Sequence, residues 1–204
     1  MVTVAVLVAI ALQLKVPDKL TLSSTYLLPG IELVMLATLV VFNPRRIERL
    51  SRPLRLISLA LIGTAGLSNA YSAVALIREI VSGHGTVDAS ELLSTGAAVY
   101  LTNIIVFGLW YWDLDRGGPA ARAHGLKEYP DFLFPQMTQT GVSDPEWEPR
   151  VTDYLYVSFT NAAAFSPTDT LPLSRWAKLT MMVQSVVALA TVSMILARAI
   201  NILG

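Results

Sequence analysis

Long apolar runs separated by polar stretches dominate the chain. Four of these runs are close to the length of a membrane span, at residues 25–42, 54–77, 91–112 and 177–203, and each carries few charged residues. A helix needs about 20 mainly apolar residues to cross the hydrocarbon core of a bilayer. Since a soluble domain rarely needs four such runs, the pattern predicts a polytopic α-helical membrane protein.

The first apolar run, residues 2–14, is shorter than a standard span. No basic segment precedes it and no small-residue cleavage site follows it, so it lacks both marks of a signal peptide. We interpret it as a tilted or truncated membrane helix, with an interfacial segment as the alternative. Gln13, Lys15 and Lys19 are then expected to reach toward the interface.

Residues 113–150 form a polar linker that contains Pro119, Pro130, Pro135, Pro145 and Pro149, and these prolines exclude a long helix. The apolar group at residues 132–134 is expected either to dip into the interface or to pack as a plug.

The segment after the linker predicts a short helix followed by broken, polar backbone. Residues 151–165 would span about 22 Å as a helix, which is too short for a comfortable crossing. Pro167 and Pro172 interrupt the helix before the last long span begins. Non-helical backbone at membrane depth survives only where protein buries it or where it lines water. A re-entrant loop or a short sixth span therefore remains open.

If that loop lies inside the bilayer, hydroxyl and carboxylate side chains would line an aqueous cavity. The candidate ion-lining residues are Thr160, Ser166, Thr168 and Asp169. The structural alternative is that Ser166 or Asp169 caps the following turn or helix. The predicted fold is thus all-α, a single transmembrane bundle over residues 1–204 with five spans plus a short re-entrant or sixth helix.

Two resemblances follow from these residues. The runs Tyr-Val-Ser-Phe-Thr at 156–160 and Thr-Asp-Thr-Leu-Pro at 168–172, with the long last helix, look like the pore helix, filter exit and inner helix of tetrameric potassium channels. The glycine filter is absent, because Ser-Pro-Thr stands at 166–168, and such filters need glycine to point carbonyls inward. Residues 107–112, the linker and Asp-Tyr-Leu-Tyr at 153–156 also resemble an uncharacterised family of bacterial multi-pass membrane proteins. The resemblances imply a homo-oligomer, four-fold by the channel likeness alone, in a bacterial inner membrane.

Arginines set the predicted orientation. Positively charged loops favour the cytoplasmic side, and the connection after the second run holds Arg45, Arg46, Arg49, Arg52 and Arg55. The N-terminus and the linker are then cytoplasmic as well, and a re-entrant loop would enter from the cytoplasm. Potassium channels insert theirs from outside, so the loop is either inverted, as in glutamate-receptor channels, or replaced by a sixth crossing. The arginines also suit anionic lipid headgroups.

Polar side chains inside the predicted spans are the remaining candidates. Ionisable groups there are costly unless paired or hydrated, so Glu32 is either a proton or cation site or a neutral, hydrogen-bonded acid. The amides are expected to make interhelical hydrogen bonds rather than bind ligands. They are Asn69, Asn103, Asn161 and Gln184. Small residues such as Gly63 and Gly66 are expected to serve helix packing, with a substrate path as the alternative.

Composition narrows the functional classes. The net charge is zero and there is no cysteine, so the sequence predicts no nucleic-acid partner, no disulfide and no thiolate chemistry. No zinc, nucleophile-elbow or phosphate-cradle motif is present, so no cofactor, resident metal or enzyme is predicted. Asp113 and Asp115 could bind a divalent cation or pair with Arg116 or Arg122. The sequence favours a pore-lining oligomer that passes or senses small ions. A non-conducting accessory protein and a lipid-directed enzyme are the alternatives.

Overall fold

The computed structural model describes residues 1–42, 51–82, 89–138, 141, 144, 146–163 and 169–203. Over these residues the chain forms seven α-helices and a small two-stranded antiparallel sheet. In chain order they are α1 (Val2–Gln13), α2 (Leu27–Phe42), α3 (Arg52–Ser82), α4 (Ala89–Leu114), α5 (Pro119–Ala123), β1 (Phe132–Leu133), α6 (Val151–Ala163), β2 (Leu171–Pro172) and α7 (Arg175–Leu203). The prediction of a mostly helical chain is confirmed.

Within the described residues, three helices are long and apolar enough to cross a membrane. They comprise α3, the stretch Ser90–Gly117 that includes most of α4, and Arg175–Arg198 of α7. The helices α1 and α2 are apolar but have only 12 and 16 residues. At about 1.5 Å per residue they measure roughly 18 and 24 Å, less than the roughly 30 Å hydrocarbon core. Three of the five predicted spans thus reach spanning length.

The outer face of α7 is apolar. Large side chains such as Leu179, Met182 and Val186 are exposed, whereas Gln184 and Ala188 are buried against the bundle. A soluble helix has the opposite distribution, with its apolar stripe turned inward. The inverted pattern is that of a helix facing lipid, and it agrees with a membrane-embedded protein.

Helix α4 lies at the centre and contacts α1, α3, α6 and α7. Gly108 lets α6 approach it closely, because a Cβ there would stand 2.7 Å from Leu155 Cδ2 and 3.1 Å from Leu155 Cα. On another face, a Cβ on Gly66 of α3 would meet Trp110 Nε1 and Val106 Cγ1 at 3.4 Å. Small residues at such crossings allow helices to pack in lipid, where no hydrophobic force draws them together.

Helices α6 and α7 run parallel. At one end, the rings of Tyr154 in α6 and Trp176 in α7 both pack on Phe132, with centroids 6.2 and 5.7 Å away. Further along, Asn161 Nδ2 donates to the carbonyl of Met181 at 2.9 Å. The start of α7 therefore lies at the end of the bundle where α6 starts, and β2 pairs with β1 at that end.

A buried carboxylate organises this end. Asp115 is 0% exposed, and it accepts hydrogen bonds from the Tyr154 hydroxyl at 2.6 Å and the Asp131 N–H at 2.8 Å. Asp131 in turn accepts a hydrogen bond from Trp176 Nε1 at 2.8 Å. Phe132 and Phe134 are buried in the main core, so the plug alternative for residues 132–134 is the one observed. The linker is thereby fastened to α4, α6 and α7.

We predict that Tyr154→Phe destabilises the fold, because it removes a hydrogen bond to a buried carboxylate, an interaction of roughly 1.5–3 kcal/mol. Tyr156→Phe is the matched control, since Tyr156 is exposed on the same helix. Unfolding of both variants in detergent would be followed by circular dichroism. Equal stability of the two variants would contradict the role given to Asp115.

Candidate functional site

The predicted ion-lining residues do not form one site in the described part of the chain. Thr160 is buried, and its hydroxyl donates to the carbonyls of Tyr156 and Val157 in its own helix, at 3.0 Å each. Asp169 is exposed near β2. Ser166 and Thr168 lie outside the described residues. The hydroxyl of Thr160 is therefore already engaged in its own helix.

The polar face of α6 is occupied by interhelical hydrogen bonds. Gln184 Oε1 accepts from the Tyr111 hydroxyl at 2.6 Å and from Asn161 Nδ2 at 2.8 Å. Gln184 Nε2 donates to the Ser158 hydroxyl and carbonyl, at 2.6 and 2.9 Å. Ser158 completes the set by donating to the Ile104 carbonyl at 2.6 Å. Because each group is paired, this network ties α4, α6 and α7 together and leaves Gln184 no free hydrogen-bonding atom.

A second buried carboxyl, that of Glu32, lies where α2 packs against the end of α1. It is 1% exposed, and its Oε2 accepts a hydrogen bond from Gln13 Nε2 at 3.0 Å. The other oxygen, Oε1, has no partner among the described residues, and neither has Gln13 Oε1. The expectation that Gln13 reaches the interface is wrong: its side chain is 6% exposed because it turns inward to the Glu32 carboxyl. Lys15 and Lys19 are exposed, as expected.

A small polar chamber adjoins this pair. Its volume is about 10 Å³, close to what one water molecule requires. Gln13 borders it from α1, and the other polar walls come from α3, α4 and the α1–α2 loop. They are Ser68, Asn69, Ser72, Thr102, Thr21, Ser23, Ser24 and Thr25. The chamber therefore connects the Glu32–Gln13 pair with the exposed loop.

The loop over the chamber is fixed by Asp18. Its carboxylate accepts hydrogen bonds from the hydroxyl and the main-chain N–H of Thr25. These two bonds lower the pKa of Asp18 below its usual value, the hydroxyl having the larger effect. A lowered pKa keeps the carboxylate ionised, and the loop pinned, until the pH falls below the ordinary range of Asp.

Asn69 and Asn103 border a second, larger cavity of about 420 Å³ between α3, α4 and α7. Asn103 is 1% exposed, and neither its Oδ1 nor its Nδ2 has a partner among the described residues. Among the described residues, Asn103 therefore does not make the interhelical hydrogen bonds expected of it, and it borders this cavity instead.

The two aspartates after the aromatic belt serve the fold. Asp115 accepts the bonds described above, and Arg116 Nε lies 3.6 Å from its Oδ2. Arg122 donates instead to the carbonyls of Trp112 and Asp115, at 2.6 and 2.7 Å. Asp113 accepts from the Ser58 hydroxyl at 3.2 Å. The described residues contain no group of three or more His, Cys, Asp or Glu placed to hold a metal ion.

Arginines mark the same end of the bundle as Asp115. Arg52 and Arg55 are exposed at the start of α3. Arg55 Nη1 would lie 3.3 Å from a Cβ on Gly118, just after α4. Arg45, Arg46 and Arg49 lie outside the described residues.

Comparison with protein-family models, curated proteins and solved structures finds no match to this chain.

Sequence reasoning singled out Glu32 but missed its surroundings. Ser68 and Ser72 are spaced four residues apart, which places them on one face of α3, and that spacing was a readable signal. Thr102 and Gln13 gave no such signal, because a lone polar residue in an apolar helix does not indicate which helix it will face.

We predict that Asp169→Cys and Thr138→Cys react with a membrane-impermeant maleimide from one side of the membrane and Ser24→Cys from the other. All three positions are exposed, and the parent chain has no cysteine to give background labelling. Labelling of Asp169→Cys from the same side as Ser24→Cys would mean that residues 151–168 cross the membrane, contrary to the parallel arrangement of α6 and α7.

Proposed function

We propose that this protein carries or senses a proton or small cation within the membrane, and that Glu32 is the residue that binds this ion. The observation that carries the proposal is a carboxyl group that is 1% exposed and has one oxygen without a partner among the described residues. In a membrane helix such a group is a functional candidate in its own right.

The charge of the Glu32 carboxylate limits what can bind beside it. An ionised carboxylate inside a bundle must be neutralised, because transferring a bare charge from water into an apolar medium costs many kcal/mol. The hydrogen-bond donor to Glu32 is the neutral amide of Gln13, and the ion pair seen in the described chain lies elsewhere, between Arg116 and Asp115. A proton or a cation is therefore the remaining way to neutralise this carboxyl.

An ion needs a polar route from the surface to Glu32. The water-sized chamber places hydroxyls and amides between the exposed α1–α2 loop and Gln13, whose Oε1 has no protein partner in the described chain. Carbonyl and hydroxyl oxygens are ligands that hard cations prefer, and they also relay protons through water. The chamber thus supports entry of an ion from the loop end.

Between Glu32 and the Asp115 end of the bundle, no comparable polar path is seen in the described residues. On the Asp115 side of Glu32 the helix interfaces are apolar, with Leu36, Leu39 and Ile10 in the main core. The polar path described for this chain therefore leads from one end only. A site open to one side supports ion sensing, or transport by alternating access, better than an open pore.

The orientation proposed for the molecule follows from the arginines. Arg52 and Arg55 lie at the Asp115 end, so this end is assigned to the cytoplasm and the chamber opens to the opposite side. The membrane is the bacterial inner membrane, on the resemblance to bacterial multi-pass proteins. Labelling of Thr138→Cys from outside intact cells would reverse this orientation.

We predict that Glu32→Gln strongly reduces at least one ion-dependent response of the purified protein. Proteoliposomes with internal pH- or cation-sensitive dyes would measure flux under H⁺, Na⁺ and K⁺ gradients. Unfolding temperatures in detergent across the same ions would measure binding, since a ligand bound only to the folded state raises stability. Glu32→Gln keeps the shape of the side chain and its contact with Gln13 while removing the charge, so at least one ion response should fall by about tenfold or more.

Glu91→Gln is the matched control, because Glu91 is an exposed glutamate in the first turn of α4. It should leave every response at the parent level. A parent protein without flux or ion-dependent stability, or a Glu32→Gln variant that responds like the parent, would contradict the proposal.

A second candidate function is a homo-oligomeric pore built on the segment after α6. It is favoured by the parallel α6 and α7, which bring Asp169 back toward the end where α6 begins. An oligomer, four-fold by the channel likeness, would place a ring of Asp169 side chains there, and charged rings favour cations. The paired network on α6 supports instead a packed, non-conducting accessory role for this segment.

We predict that Asp169→Asn leaves the ion responses unchanged if Glu32 is the ion-binding residue. The same variant lowers cation flux if a ring of Asp169 side chains lines an oligomeric pore. The oligomeric state in detergent, measured by light scattering, adds a second criterion. A strict monomer excludes the pore, because a single loop cannot enclose a central channel.

A further inference from the structure

The cavity between α3, α4 and α7 is apolar except at two amide side chains, Asn69 and Asn103. Its walls include Val106, Phe107, Trp110 and Val187, and its volume of about 420 Å³ falls within the roughly 300–1,000 Å³ of small-molecule sites. It reaches the outer surface of the bundle beside Leu67 and Val183, which are exposed. Helices α3 and α7 are long and apolar enough to cross a membrane. In that arrangement this opening would face the hydrocarbon of the bilayer.

Of these two amides, Asn103 is the one with both polar atoms buried and without a partner in the described part of the chain. Its side chain is 1% exposed, lines the cavity, and leaves a donor and an acceptor unpartnered among the described residues. A buried, unmade hydrogen bond costs roughly 1–3 kcal/mol, so a ligand that supplies both missing partners gains binding energy. Nδ2 calls for an acceptor on the ligand, and Oδ1 calls for a donor.

We propose that this cavity binds a neutral, hydroxyl-bearing amphiphile, a long-chain or polycyclic alcohol that enters from the bilayer with its hydroxyl on Asn103. A hydroxyl both donates and accepts, which matches the side-by-side Oδ1 and Nδ2 of an amide. The apolar remainder of the ligand lies against Phe107, Trp110 and Val187. This cavity shares Asn69 with the chamber beside Glu32, but the alcohol site does not depend on the function proposed for Glu32.

The position of Asn103 decides against a phospholipid. It lies near the middle of α4, where phospholipids present only acyl chains that can fill the cavity but pair with neither atom of the amide. A charged headgroup at that depth would also pay a large transfer cost. The ligand that fits is therefore an apolar molecule that carries one uncharged polar group.

The test uses full-length protein in phospholipid nanodiscs with a photoreactive diazirine analogue of hexadecanol. We expect saturable crosslinking to α3, α4 or α7 at the cavity walls, competed by unlabelled hexadecanol and poorly by hexadecane. Asn103→Leu should remove the preference for the alcohol over the alkane, a loss of about tenfold in competition. This variant should still fold, because replacing an unpaired buried amide by an apolar group of similar size is neutral or stabilising.

A cavity-filling pair of variants tests the location. A Cβ on Gly63 has its nearest neighbour at 4.0 Å, so Gly63→Leu has room to grow into the cavity and should reduce crosslinking. Gly30→Leu is the matched control, since a Cβ on Gly30 meets nothing within 4 Å and Gly30 does not line the cavity. Glu32→Gln should also leave crosslinking unchanged, which separates this site from the proposed ion site.

Three outcomes would overturn the proposal. Equal crosslinking by a phospholipid carrying the same diazirine would identify an ordinary lipid tail as the occupant. Crosslinks between protomers through Leu67 or Val183 would identify a second copy of the chain. An unchanged alcohol preference in Asn103→Leu would remove the role of the amide.

Discussion

The carboxylate of Asp115 is the interaction on which one whole end of this bundle depends. It is fully buried, and it is tolerable there because a tyrosine hydroxyl and main-chain N–H groups of the linker donate to it. Through Asp131 the same set of bonds reaches the first turn of α7. A linker rich in proline can offer few bonds of its own, so it takes its structure from this anion. The parallel placement of α6 and α7 follows, because both helices start from the surface that the linker provides.

Much of the fold could be predicted from hydropathy alone, because a bilayer forces apolar runs into helices. The segments at 54–77, 91–112 and 177–203 correspond to α3, α4 and α7, and the short segment at 151–165 corresponds to α6. The arrangement of α6 beside α7 could not be predicted, because it depends on aromatic packing onto Phe132, a residue in the linker. The partner of Gln13 was equally hidden. A single amide at the end of an apolar helix is normally interpreted as an interfacial residue. Only the packing of α2 beside α1 shows that Gln13 is bonded to the Glu32 carboxyl.

The amides of the spans divide into two groups that look alike in sequence. Gln184 and Asn161 are paired on every side and fasten helices together. Asn103 is as deeply buried but faces a cavity with both polar atoms unmatched. Burial alone therefore does not distinguish a structural amide from a candidate binding group. The presence or absence of hydrogen-bond partners does. By the same criterion, Thr160, whose hydroxyl is engaged within α6, is a weaker candidate than Glu32, whose Oε1 has no partner among the described residues.

The short helices α1 and α2 have a consequence for the surrounding lipid. Helices of roughly 18 and 24 Å cannot match a hydrocarbon core of about 30 Å, and a bilayer responds to such mismatch by thinning locally. The longer helices α3, α4 and α7 impose no such deformation. If α1 and α2 lie in the bilayer, the lipid beside them would be thinner than the lipid beside α7. Such local thinning would cost less free energy in a thinner bilayer, so the membrane that suits α1 and α2 best is thinner than the one that suits the long helices.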